Sequence, residues 1–411
     1  MKRSFLLLFL FILQLWLCFK GVGIFGIYIN PVLILIVSMW VAIIYFSAIL
    51  QDDQISVPRA KVYSHYDSLF ILVLAGLLSA CLFLFIREFR SYADTHTYSD
   101  VIRQLQALYD RSMRGEQPYY PVVPPSYAPF PVYMPLHWLP IGLAELCRID
   151  LRVIGMLMLC LAIQLYCIYM VQRFETIWAK VLVIAMPIVI LLSFYFCPGD
   201  IVYVFETPVA AYYLLLALGL SCRNLAMTTI GIICCLLSRY TMVFWLPLFA
   251  VLLWVHAPRR QNFIVWGSVI AAVLLIYVIP FYLRAPSALL AGLRYHNHAA
   301  IDEWTHFSTT FDLGINFAPH MRAVFTGDFA HRVWYARMVQ GSAMIALLFG
   351  GLAAYSRVRE KVNFYDFSLG MLYLVLLAFY IIGPLTYRYY LISLFFVAGM
   401  LCMKVFEYGE E

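Results

Sequence analysis

The chain has 411 residues, of which 64% are hydrophobic and 12% charged, with a formal net charge of +6. A charged share about half that of soluble domains excludes a soluble globular protein and leaves an all-α polytopic membrane protein. The basic residues are scattered through loops and form no run, which excludes nucleic acid as a partner.

The first residues, MKRSFLLLFLFILQLWLCFKG, carry the basic head and short apolar run of a signal peptide. No small-x-small cleavage pattern follows, so the stretch reads as an uncleaved first span with a cytoplasmic N-terminus. A span needs about 20 mostly apolar residues. On that criterion twelve are expected, near 5–19, 31–50, 68–86, 151–172, 178–197, 205–221, 225–238, 241–256, 263–283, 339–356, 366–382 and 387–405.

The segment Pro131 to Cys147 is apolar enough to be a thirteenth span, and charge decides against it. If it crosses, Arg259/Arg260 and Arg357/Arg359/Lys361 fall outside, against the positive-inside rule. If it lies along the outer interface, they fall inside with Lys2/Arg3, Arg59/Lys61, Arg173/Lys180 and Arg223. Pro135 and Pro140 interrupt it, and Tyr133 and Trp138 are placed as interfacial anchors. Two long outer loops follow, 87–150 and 284–338, within a single integral membrane domain, 1–411. Seven of the nine histidines lie in those loops, a one-sided supply that points to an outward-facing site.

Within the first loop, Val101, Ile102, Leu105, Leu108, Tyr109 and Met113 recur at helical spacing opposite a polar face. An amphipathic interfacial helix is expected over Tyr98 to Arg114, with Thr97 as N-cap, Asp100 completing a capping-box-like arrangement and Gly115 as the stop. Asp94, just after the third span and before the helix, has no such periodic role.

Ionisable groups at membrane depth cost about 2.5–3.5 kcal/mol each on insertion scales and are functional candidates by default. Asp94, Asp200 with Glu206, Arg239 and Arg388 qualify, and on the expected topology all emerge on the outer side. Arginine offers a planar fork for phosphate oxygens and a carboxylate accepts a hydroxyl proton, a set suited to a phosphate-bearing substrate. The blander roles stay open: Arg239 and Arg388 snorkelling to headgroups, Glu206 pairing with a neighbour to fix packing, Asp94 as a plain span end.

The run ADTHTYSDVIRQLQALYDRSMRGEQPYYP resembles the first outer loop of the GT-C superfamily of membrane glycosyltransferases. It is most similar to glycosyltransferase family 87, in which an Asp after an early span is followed by a Tyr, an interfacial helix and a G..PY turn. Those positions are Asp94, Tyr98 and Gly115 to Tyr119 here. YMPLHWLPIGLAELCRIDLRVIG resembles the proline-led interfacial helix before the next span, and YRYYLISLFF a late-span motif whose Arg grips the donor phosphate. The resemblance covers most of the chain by layout and three short stretches by motif. Two spans precede the one that leads into the loop, whereas the simplest members begin with it, and the usual acidic pair is a lone Asp94 followed by His96.

The resemblance implies a GT-C-type fold in a bacterial inner membrane, with the site facing the periplasm. The donor would be a polyprenyl-phosphate monosaccharide, mannose- or arabinofuranose-like, and the acceptor a glycolipid, polysaccharide or protein such as a pilin. Asp94 would deprotonate the acceptor hydroxyl, which attacks the anomeric carbon with inversion, while Arg388 and Arg239 stabilise the departing polyprenyl phosphate. His96, Tyr98, Tyr119, Tyr120, His137, Glu206, Tyr240, His296, His298 and Tyr387 are candidates to line the cavity. The tyrosines of PYYPVVPPSYAPFPVY either stack on a sugar ring or stiffen an interfacial loop. The histidines and acids of RYHNHAAIDEWTHFSTTFDLG match no metal-ligand spacing and read as a cover over the cavity. No cofactor beyond the lipid-linked donor is expected; a divalent metal is possible but not required. A transporter or flippase, and a lipid-linked glycan polymerase or ligase, are the alternative readings. The first would favour matched halves and midplane sites, the second a dominant loop late in the chain.

Overall fold

The computed structural model describes residues 2–51, 65–92, 99–120, 133–306 and 314–410, and among these the chain is helical with no strand. Helix α1 (Lys2–Trp16) passes through a π turn, Leu17–Gly21, into α2 (Val22–Ile49). The chain doubles back at Gly26, whose φ of 75° and ψ of 175° belong to a region open essentially to glycine alone. The two arms pack on each other, and Gln14 Nε2 donates to Ser38 Oγ at 2.7 Å across them. Asn30 fixes the reversal by donating to the carbonyls of Leu17 and Gly314, at 3.3 and 2.8 Å. The apolar stretch Arg3–Ile49, 47 residues long, is therefore two antiparallel arms.

Next come α3 (His65–Ser91), α4 (Asp100–Met113), α5 (Pro135–Trp138), α6 (Ile141–Cys147), α7 (Leu151–Val171), α8 (Ile177–Tyr195), the short α9 (Gly199–Val202), α10 (Thr207–Ser221), α11 (Leu225–Leu236) and α12 (Met242–His256). The last third holds α13 (Arg259–Val273) with a π continuation Leu274–Tyr282, α14 (Pro286–His306), α15 (Ala318–Val324), α16 (Phe329–Val358), α17 (Phe364–Ile382) and α18 (Leu391–Glu410), which follows a 3₁₀ turn, Arg388–Tyr390. Eight helices among the described residues are long and apolar enough to cross a membrane, and α10, α11 and α12 are shorter apolar helices. The chain is thus an all-α, multi-pass membrane protein.

Helix α10 is apolar all round and lies at the centre, packed on α7, α11, α17 and α18. Its close pairing with α11 depends on two glycines. A Cβ at Gly219 would meet Thr228 N at 2.6 Å, and one at Gly231 would meet Leu216 Cα at 2.6 Å, so the two backbones touch directly.

Three expectations need correction. The amphipathic helix starts at Asp100, and its N-cap is Ser99, whose Oγ accepts from Ile102 N at 3.1 Å; Thr97 lies outside the described residues. The segment ending at Cys147 forms no span, as expected, since its helices have 4 and 7 residues. Tyr133 and Trp138 are not interfacial anchors, because Tyr133 is buried and Trp138 is 0% exposed, while Leu143 and Leu146 of the same segment are 52% and 80% exposed. The start of the segment is held inside, with Leu136 N donating to Leu237 O at 2.8 Å and Tyr212 Oη donating to Leu136 O at 3.1 Å. Finally, α16 begins at Phe329, ten residues inside the segment read as the second loop. Asp328 caps it by accepting from His331 N at 2.8 Å, and polar His331, Arg332 and Arg337 hide its start from a hydropathy window.

At the end of the bundle where α7 and α18 terminate, charges are locked together away from solvent. Arg173 pairs with Glu407 at 3.1 Å, Arg223 with Asp366 at 2.8 Å, and Lys404, 0% exposed, with Glu407 at 2.8 Å. This network ties the ends of α7, α10, α17 and α18.

Candidate functional site

The opposite end gathers the ionisable groups singled out in the sequence. Glu206 stands at the N-terminus of α10, and Arg239 in the turn between α11 and α12; the two form an ion pair in which the carboxylate is buried and the guanidinium largely so. His137 of α5 sits 3.7 Å from the same carboxylate, and its Nε2 donates to Phe205 O at 2.8 Å. Burial first, and Arg239 second, hold this imidazole well below its usual pKa, so it is a neutral neighbour of Glu206 and not a third charge. Glu206 does pair with a neighbour, as the blander reading had it.

The second arginine, Arg388, opens the 3₁₀ turn before α18. Its Nη1 lies 3.3 Å from Asp200 Oδ2 of α9, and its guanidinium rests over Phe19, 5.5 Å from the ring centroid. Tyrosines join the two pairs. Tyr390 lies under Arg239 at 4.5 Å, and Tyr133 faces Arg239 at 5.7 Å. Tyr387 stacks on Tyr389 with centroids 5.3 Å apart, and Tyr380 stacks on Tyr390 at 5.8 Å. Two charge pairs set in a tyrosine cluster offer fixed donors and flat apolar faces together, which suits a ligand that is part anion and part ring.

Both outer segments reach this place. Helix α4 and the α5–α6 segment pack with Phe205, Phe281 and the start of α7 in one apolar cluster, and Ala288, Ala291 and Tyr295 of α14 lean on it. Further along α14, Ala300 and Trp304 pack with Met321 of α15 and with Val333 and Ala336 of α16. Trp304 Nε1 also donates to Pro384 O at 2.7 Å, tying α14 to the turn that carries Tyr387 and Arg388. Helix α14 is thus a strut between the two halves of the site. Its His296 is held to a pKa of about 4, by burial first and then by Arg337 and Arg239. Glu303 is pushed up to about 7, by burial first, then Asp302 and, more weakly, Asp100; His306 acts the other way.

Asp94, His96 and Tyr98 lie outside the described residues. Those flanking them, Tyr92 and Ser99, both contact Tyr203: the two rings are edge to face at 5.7 Å, and Ser99 Oγ donates to Tyr203 O at 2.5 Å. Of the other sequence candidates, Glu206, His137, Arg239, Arg388, Tyr387 and His296 are brought together. Tyr119 is buried to one side, its Oη donating to Tyr133 O at 3.1 Å and its ring against Tyr277 and Phe281. Tyr240, half-buried, is close enough to Tyr119 and Tyr277 to act on both electrostatically. Tyr120 and His298 are exposed.

Sequence reasoning missed two arginines. Arg152, buried in the first turn of α7, holds Asp150 through Nε at 2.9 and 3.0 Å and donates to Phe89 O, Val202 O and Tyr92 O at 3.0, 3.2 and 3.4 Å. It therefore joins the end of α3, the end of α9 and its own N-cap. Arg337 of α16 is close enough to His296 and Tyr390 to interact with both electrostatically. Among the described residues no group of three or more His, Cys, Asp or Glu could hold a metal ion.

No protein-family model matches this chain, and neither a curated protein nor a solved structure does. The class it belongs to rests on its own architecture, an all-helical polytopic membrane protein with ionisable and aromatic side chains gathered at one end.

Proposed function

We propose that the chain is an inverting GT-C-type glycosyltransferase. It takes a monosaccharide from a polyprenyl-phosphate donor to an acceptor hydroxyl at the non-cytoplasmic face of a bacterial inner membrane. The observation that carries this reading is the convergence of Arg239–Glu206 and Arg388–Asp200 in a tyrosine cluster to which both long loops contribute. The eight long helices, with the first counted as two arms, and the three short ones make twelve passes. Arg173/Lys180, Arg223, Arg259/Arg260 and Arg357/Arg359/Lys361 then share one end, which the positive-inside rule assigns to the cytoplasm.

Asp94, two residues after Tyr92 in the sequence, takes the proton of the acceptor hydroxyl. The acceptor oxygen bonds to the anomeric carbon as the bond from that carbon to the phosphate oxygen breaks, and polyprenyl phosphate leaves with the electron pair. A phosphodiester carrying one negative charge becomes a monoester carrying up to two, so the step needs cations in place beforehand. The tyrosine faces suit a sugar ring and the lipid beyond it.

The test is Asp94→Asn in proteoliposomes supplied with mannosyl and arabinofuranosyl polyprenyl phosphates. The variant is expected to lose transfer by about 100-fold or more, within the range of a removed general base. Full activity in the variant removes Asp94 from the mechanism.

A further inference from the structure

The cations at the site differ in how they are balanced. Arg239 is paired with Glu206, Arg388 with Asp200, and Arg152 with Asp150. Arg337 has no carboxylate partner among the described residues; its hydrogen bond is from Nη1 to Gln340 Oε1, at 3.2 Å. Gln340 is itself buried and fixed, its Nε2 donating to Phe379 O at 2.7 Å. The guanidinium is thus held on one side and keeps its other donors. It sits nine residues into the 30-residue α16, about 12 Å along that helix at 1.5 Å per residue and toward its outer end. An arginine there without a carboxylate partner is a functional candidate.

Its neighbours place it at the site. Ala336, the residue before it, packs with Ala300 and Trp304 of α14, which brings Arg337 beside His296, one turn earlier on α14. Below lies the 380–390 turn, where Thr386 Oγ1 donates to Tyr380 O at 2.7 Å and Tyr390 bridges to Arg239. We infer that Arg337, held by Gln340, is a further anion subsite that meets the phosphate group of a lipid phosphate beside the carboxylate-balanced Arg239 and Arg388. This rests on the proposed donor class. It places the net positive charge of the site on α16, across the tyrosine cluster from the first loop.

The test is equilibrium binding in nanodiscs with farnesyl phosphate and farnesol as probes, which differ only in the phosphate. Wild type is expected to prefer farnesyl phosphate by tenfold or more. Arg337→Gln should lose that preference and Arg337→Lys keep part of it. Gln340→Met, which releases the guanidinium without removing it, should weaken farnesyl phosphate binding about threefold and serves as the measurement should Arg337→Gln not fold. Equal preference in wild type and Arg337→Gln overturns the subsite, as does a wild type that binds the two probes alike. Because the readout is binding, a protein that shows the Arg337-dependent preference yet transfers no sugar sinks the proposed reaction and leaves the subsite standing.

Discussion

At the scale of single residues, the site is a set of charges held by partners. Removing one partner strands the other in a low-dielectric place, which costs about 3–5 kcal/mol for a buried pair. Glu206→Gln should therefore lower the unfolding temperature in detergent markedly, while the exposed His298→Gln should leave it unchanged. His296 gives a pH test. Its folded pKa of about 4 lies below the unfolded value of 6.5, so the unfolded chain binds more protons between those limits and stability falls as pH drops from 6.5 toward 4. Glu303, raised to about 7, contributes with the opposite sign between 4.5 and 7. Comparing His296→Asn with wild type isolates the first effect: the variant should lose less stability than wild type between pH 6.5 and 4, and an identical pH slope contradicts it. Arg239, Arg388, Glu206 and His137 were legible in the sequence because each stands out as polar in an apolar run. Arg152 and Arg337 were not, because each lies in the early turns of a long helix, where hydropathy draws a loop boundary. Asp100 was read as a capping residue; the structure gives the cap to Ser99, while Asp100 acts electrostatically on Tyr133 and Tyr295.

At the scale of elements, most of the long apolar helices were readable to within about five residues from hydropathy, since length and composition alone set a span; α2, expected from residue 31, instead starts at Val22 directly after the π turn. Two features were not readable. The start of α16 is masked by its own charges, and the α5–α6 segment looks like an interfacial helix because its tyrosine and tryptophan suit a headgroup region as well as a protein interior. The backbone bonds of Leu136, to Leu237 and from Tyr212, hold the start of the segment inside, while Leu143 and Leu146 stay exposed. Arg152 is the element-level fastening. Arg152→Met removes the guanidinium that lies over Phe89 and leaves the carbonyls of Phe89 and Val202 without this donor, at about 1–3 kcal/mol for each group left buried and unsatisfied. The expected outcome is a lower unfolding temperature together with faster hydrogen exchange at the end of α3; unchanged exchange there contradicts the clamp.

At the scale of the whole molecule, the two ends have different work. One end is fastened by the buried network of Arg173, Arg223, Asp366, Lys404 and Glu407, and the other carries the tyrosine-lined charge pairs. The proposed orientation puts exposed Cys147 outside the membrane. In intact cells a membrane-impermeant maleimide should label the protein at Cys147, and Cys147→Ser should abolish most of that labelling; a cysteine placed at Arg259 should stay unlabelled until the membrane is opened. The reverse pattern overturns the orientation. The central claim is sugar transfer itself, and it is tested most directly by purified wild-type protein in proteoliposomes with a radiolabelled mannosyl or arabinofuranosyl polyprenyl phosphate and a glycolipid, polysaccharide or pilin acceptor. The account predicts label moving to the acceptor with inversion at the anomeric carbon and release of polyprenyl phosphate. Transfer with retention, or no transfer from either donor to any of these acceptors, contradicts it.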